Sequence, residues 1–201
     1  MFHFIANGFH VYGVTTVFLT YPFAPEASID QIVLSCRKAI KWLYSNIHAF
    51  NRDADEMYVA GHSAGGHLAA MLMATDWKLF DPGLSGNVIK GICTISGLFN
   101  LVPIYHSYVN KVLKMDVETA ISNGPVLLEP LNSCPLIVAV GGAETVEFND
   151  QSKEFYTCWK NKGEEIELLQ LPNLNHYSIA DAMVDPQSLL HRALLQLMKI
   201  N

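Results

Sequence analysis

Gly61-His62-Ser63-Ala64-Gly65 follows the apolar, strand-like run Met57-Tyr58-Val59-Ala60 and opens a helix-like stretch from His67 to Ala74. In a G-x-S-x-G turn the glycines let a strand bend sharply into a helix. The serine is left in a strained conformation with its hydroxyl exposed above the sheet. Ser63 is therefore the candidate nucleophile. The helix behind it aims N–H groups and the positive end of its dipole at a reacting carbonyl, so the Ala64 N–H is the candidate oxyanion donor. Five-residue patterns recur by chance in Gly/Ser-rich turns; strand before and helix after set this one apart.

Reading outward, Val14-Thr15-Thr16-Val17-Phe18-Leu19 is β-branched and apolar and predicts a strand buried on both faces, stopped by Tyr21-Pro22. Ser28-Ile29-Asp30-Gln31 fits a capping box. Behind it Ile29, Ile32, Val33, Cys36, Ile40, Leu43 and Ile47 recur at helical spacing, predicting a helix to about His48. The strand before the elbow covers Met57 to Ala60, and the elbow helix runs toward Asp76. Further strands are predicted at Val88 to Ile95, Leu136 to Val140 and Glu165 to Leu171, with helices at Asp150 to Asn161 and Gln187 to Lys199. Residues 98–130 are weakly periodic and too long for a simple connection, which points to a small cap. Such alternation predicts the α/β class, a mostly parallel sheet covered by helices on both faces, in a single domain over residues 1–201.

Composition narrows the function. The chain has 201 residues, 50% hydrophobic and 16% charged, enough to bury a sizeable core. Thirteen basic against nineteen acidic residues give a net charge of -6, the wrong sign for a phosphate backbone, so no nucleic-acid partner is expected. The four cysteines are scattered, with no C-x-x-C pair for zinc or redox work, and read as reduced core residues. The first residues lack a basic n-region and no apolar run reaches the roughly 18 residues that span a bilayer, so a cytosolic protein without membrane contact is the default.

A serine hydroxyl needs a base within hydrogen-bond reach and an acid to orient that base. In α/β-hydrolases the chain order is Ser, then Asp or Glu, then His. His176, in the turn-rich Asn173-Leu174-Asn175-His176-Tyr177 between the last strand and the last helix, stands where that order puts the base. His62 and His67 flank the elbow but cannot easily aim a ring at Ser63 from the same turn, and read as pocket wall or helix surface. For the acid, the loop Gly141-Gly142-Ala143-Glu144-Thr145-Val146-Glu147-Phe148 offers two carboxylates. Glu144, nearer the strand end, is preferred over Glu147, which suits the positive start of the next helix.

Gly61-His62-Ser63-Ala64-Gly65-Gly66-His67-Leu68, Ala74-Thr75-Asp76-Trp77, Gly142-Ala143-Glu144, Glu147-Phe148 with Gln151-Ser152, and Asn175-His176 together resemble the kynurenine formamidase (arylformamidase) branch of the α/β-hydrolases. The elbow followed by Thr-Asp-Trp and the Glu-Phe-x-x-Gln-Ser run carry most of the likeness. By position, the resemblance implies Ser63 as nucleophile, Glu144 as acid and His176 as base. The reaction implied is hydrolysis of N-formyl-kynurenine to kynurenine and formate, a step of tryptophan breakdown, with side activity on small aryl esters. No metal or organic cofactor is implied. A small-molecule formyl-anilide or aryl ester is thus the expected partner, and a homodimer stands open beside a monomer. Among the aromatics that could face a substrate ring, Tyr177 is the first candidate, ahead of Trp77, Phe99, Tyr105 and Tyr108.

Members of that branch carry an upstream His-Gly-Gly whose N–H groups complete the oxyanion hole, and this chain contains none. The resemblance therefore predicts an N-terminally truncated sheet without its first strands. One lost oxyanion donor costs about 2.7 to 4 kcal/mol of transition-state stabilisation. Two other readings stand beside the formamidase: a generic small-ester carboxylesterase, and a truncated, non-catalytic hydrolase-like protein.

Overall fold

The computed structural model describes residues 3–200. Helix α1 (Ile29–Asn46) starts on the predicted capping box. Ser28 Oγ accepts the Gln31 N–H at 3.3 Å while Gln31 Oε1 accepts the Ser28 N–H at 2.9 Å. Four parallel strands follow, β1 (Tyr58–His62), β2 (Gly91–Ile95), β3 (Leu136–Gly141) and β4 (Ile166–Leu171), in the spatial order of the chain. Register runs straight across the sheet through Ala60, Cys93, Ile137 and Glu167. β2 and β3 are buried at every position, as the apolar runs of central parallel strands require, whereas β1 is mostly half-buried and β4 mixes exposed, half-buried and buried positions.

Helix α2 (Ala64–Met73) and the short α3 (Trp77–Phe80) lie between β1 and β2. The 98–130 stretch, expected as a cap, holds α4 (Val102–Tyr105), α5 (Asn110–Leu113) and α6 (Val117–Ser122), and Leu101, Met115 and Ala120 make a small apolar cluster there. Helix α7 (Val146–Asn161) joins β3 to β4, and α8 (Ser178–Asp181) and α9 (Leu189–Leu197) end the chain. Alternate strand residues feed two cores. Ile92, Leu136 and Val138 pack with α1, α2 and α7. Cys93, Ile95, Ile137 and Ala139 pack on the other face with Phe9, α8 and α9. Within the first core Phe99 and Phe155 stack at 4.1 Å and Trp159 follows at 4.5 Å from Phe155. Because all strands are parallel, the loops leaving their C-terminal ends converge on one rim, where ligands bind in open α/β sheets.

One predicted strand is absent. Residues 14–19 form no strand, and Val17 and Phe18 are 47% and 38% exposed. Val14 packs on the α8/α9 core and Leu19 on the α1/α2 core, so the segment passes from one face of the sheet to the other. β-branched composition favours a half-buried pleated surface but supplies no partner, and tertiary context overrides it. Among the described residues β1 is therefore an edge strand, paired with β2 alone. The elbow helix also stops earlier than predicted: it ends at Met73, and Asp76 caps α3 by accepting the Leu79 N–H at 2.9 Å.

Candidate active site

Ser63 stands between β1 and α2 at φ 57, ψ −119, a left-handed conformation that a residue with a side chain rarely adopts. Its N–H donates to the Ile95 carbonyl at 2.8 Å, which fastens the elbow to the end of β2. The turn is tight enough that a Cβ on Gly61 would lie 2.0 Å from the Gly65 carbonyl oxygen. The second glycine of the pattern is not similarly constrained: a Cβ on Gly65 meets nothing within 4 Å, whereas one on Gly66 would lie 2.9 Å from Gly97 Cα. The sheet contact thus falls on Gly66, outside the five-residue motif. The Ala64 N–H, first in α2, has no hydrogen-bond partner among the described residues and stays available to a developing oxyanion.

The loop after β4 carries His176. Asn175 Oδ1 accepts the N–H groups of Tyr177 and Ser178, both at 3.0 Å, and Ser178 Oγ accepts the Asn175 N–H at 2.9 Å, so the turn is closed on itself. His176 Nε2 lies 3.0 Å from Ser63 Oγ and Nδ1 lies 2.7 Å from Glu144 Oε2. A carboxylate can only accept, so Nδ1 carries the proton and Nε2 presents its lone pair to the Ser63 hydroxyl. The Glu144 side chain is fully buried. Its second oxygen accepts the Gly141 N–H at 2.9 Å and the hydroxyl of Ser96. The acid loop is tied to the base loop as well: the Gly142 N–H donates to Leu171 O at 2.8 Å and the Ala143 N–H to Leu174 O at 3.0 Å. Glu147, the other candidate acid, is exposed in the first turn of α7; its carboxyl is held below the usual range first by a hydrogen bond from Thr145.

Two rings flank the imidazole of His176, Phe148 at 4.5 Å and His62 at 4.6 Å between centroids. Burial, and then the neighbouring His176, push the His62 pKa below the ordinary imidazole value, so His62 stays neutral beside the base. This is the wall position expected of it. His67 departs from expectation: it is buried rather than at the helix surface, with Nε2 2.7 Å from the Asn123 carbonyl, and burial lowers its pKa.

Tyr177 is 83% exposed and borders a cleft of about 470 Å³ together with Phe4, His62, Asn175 and Asp181. Trp77 and Phe99 are core residues at 0% and 1% exposure, Tyr105 packs with the 98–130 cluster, and Tyr108 stands in solvent. The Thr-Asp-Trp run is likewise structural: Thr75 Oγ1 donates to Met71 O at 2.8 Å and accepts from Arg37 Nε at 2.9 Å. The Glu-Phe-x-x-Gln-Ser run does touch the site. Besides Phe148 on the base, buried Gln151 Oε1 accepts the N–H groups of Phe99 and Asn100 at 2.7 and 2.9 Å, anchoring the loop after β2. No sequence pattern marks Ser96; its one signal is its place, with Gly97, just after the β2 run. Among the described residues no group of three or more His, Cys, Asp or Glu side chains is placed to hold a metal ion, and no helix is long and apolar enough to cross a membrane.

A family model described as BD-FAE matches residues 2–157. Kynurenine formamidase of Salmo salar is 34% identical over 195 residues, covering 92% of this chain and 63% of that protein. The Danio rerio kynurenine formamidase is 35% identical over 193 residues, covering 92% and 62%. The chain thus spans just under two thirds of the length of these curated relatives. A solved esterase from Pyrobaculum calidifontis superposes over 97% of this chain and 68% of its own with TM-score 0.75 at 20% identity, a likeness of fold.

Proposed function

The chain belongs to the BD-FAE family of α/β-hydrolases, and from that premise we propose that it is a serine hydrolase of the kynurenine formamidase type, cleaving N-formyl-kynurenine to kynurenine and formate. The observation that carries the proposal is the continuous relay from Ser63 Oγ through His176 to the buried Glu144, at 3.0 and 2.7 Å. Attack of Ser63 Oγ on the formyl carbon passes its proton to His176 Nε2, and Glu144 steadies the imidazolium that forms. Oxyanion charge develops against the Ala64 N–H at the start of α2. Collapse of the tetrahedral adduct breaks the C–N bond, His176 returns the proton to the arylamine, and a formyl ester remains on Ser63. Water, deprotonated by His176, then releases formate and restores the hydroxyl. No metal or organic cofactor enters these steps. The four free cysteines agree with a cytosolic setting, where thiols stay reduced.

A fluorescent fluorophosphonate tests the activated serine without presuming a substrate. The folded chain is expected to label, and Ser63→Ala and heat-denatured protein are expected not to. Formate release from N-formyl-kynurenine with a higher kcat/KM than hydrolysis of short aryl acetates then supports the formamidase; preference for the acetates alone assigns a carboxylesterase instead. Failure of folded protein to label would overturn the serine-hydrolase proposal and favour the non-catalytic reading.

A further inference from the structure

We infer that Ser96 is a positioning residue of this site, acting on the base through Glu144; the inference rests on the relay proposed above. Ser96 directly follows β2 at φ 49, fully buried, with its N–H donated to Ala139 O at 2.8 Å. Its hydroxyl does not turn back to a nearby carbonyl, the usual resort of a buried serine. It reaches 48 residues along the chain to Glu144 Oε1. A glutamate has three side-chain torsions, and His176 Nδ1 engages only Oε2. What fixes the roll of the carboxylate is therefore the pair of donors on Oε1, the Ser96 hydroxyl and the Gly141 N–H. Of the two, only Ser96 comes from a different strand. It ties the acid to the end of β2, the same strand end to which the Ile95 carbonyl ties the Ser63 N–H. Nucleophile and acid are thus referenced to adjacent residues, Ile95 and Ser96, at the end of one central strand, and His176 spans the gap between them.

Ser96→Gly removes the hydroxyl while relieving the left-handed backbone, and that relief offsets part of the lost hydrogen bond and of glycine's entropic cost, so the variant should remain folded by circular dichroism. Two readouts apply to the full chain. The first is the low-field proton resonance of His176 Nδ1–H, identified by its loss in His176→Gln; Ser96→Gly and Ser96→Ala should move it upfield and speed its exchange with water. The second is the rate of fluorophosphonate labelling of Ser63, which should fall on the order of tenfold, the size of one charge-assisted hydrogen bond. In a Glu144→Ala background the same Ser96 changes should slow labelling no further, since the group through which Ser96 acts is gone. An unchanged resonance, or an equal slowing with and without Glu144, would overturn the inference. A parent chain with no such resonance would do so too. A parent that shows the resonance yet does not label would sink the serine-hydrolase proposal while leaving the Ser96 readout intact.

Discussion

His176 is the side chain on which the site turns, and its surroundings divide the histidines near the elbow into different kinds. His176 has a carboxylate on one ring nitrogen and a serine on the other, while His62 and His67 are held neutral by burial. That difference sets a pH dependence of stability. The folded-state pKa of His67 lies below its ordinary 6.5, so the unfolded chain binds the proton more readily than the folded one. Stability from this group is present above 6.5 and is lost as pH falls through that value toward the depressed folded pKa. His62 acts with the same sign. His67→Gln can keep a donor toward the Asn123 carbonyl without a titrating ring. Urea midpoints measured from about pH 7 to about pH 5 should fall less steeply for His67→Gln than for the parent, with part of the slope retained through His62; equal slopes would refute the assignment. From sequence, Ser63, Glu144 and His176 were legible because chain order and loop position constrain them. Ser96 and the ring contact of Phe148 were not, because a buried hydroxyl at a strand end and an aromatic in a helix's first turn acquire their roles only when distant loops meet.

The elbow shows how far a motif determines an element. Of its two glycines, Gly61 is forced by the approach of the Gly65 carbonyl, and Gly65 itself faces open space. Gly61→Ala would drive a methyl into backbone that cannot yield without opening the turn, so it should cost about 3 kcal/mol or more and abolish labelling of Ser63. Gly65→Ala should leave stability unchanged or raise it by up to about 1 kcal/mol, since alanine is the better residue in a helix. Denaturant unfolding of the two variants checks the contrast; similar losses in both would mean that the motif acts as a unit. The same logic explains which elements could be read. The strand runs before the elbow and at 88–95, 136–140 and 165–171 are bounded by turn residues and became β1 to β4. Capping at Ser28 fixed the start of α1 by a purely local pair of bonds. Val14 to Leu19 had the composition of a strand, yet pairing is decided by neighbours, and this segment instead passes between the two cores.

Across the molecule, the site is assembled from strands of unequal security. Glu144 and Ser96 follow β3 and β2, which are paired on both sides and buried at every position. Ser63 and His176 follow β1 and β4, each paired on one side only among the described residues. Edge strands with fewer buried contacts open at lower free energy than the core, so the nucleophile and the base should separate before the sheet unfolds. The Ser63 N–H bond to Ile95 O extends the β1–β2 ladder by one more tie at the end of that edge strand. In a urea titration, the rate of fluorophosphonate labelling should therefore collapse at a lower concentration than the far-ultraviolet circular dichroism transition. Hydrogen exchange should show the same order, with β2 and β3 amides protected near the global limit and those of β1 exchanging sooner. Coincident labelling and dichroism midpoints would mean that β1 is held as firmly as the centre of the sheet, and that the elbow, rather than strand pairing, sets the rigidity of the nucleophile.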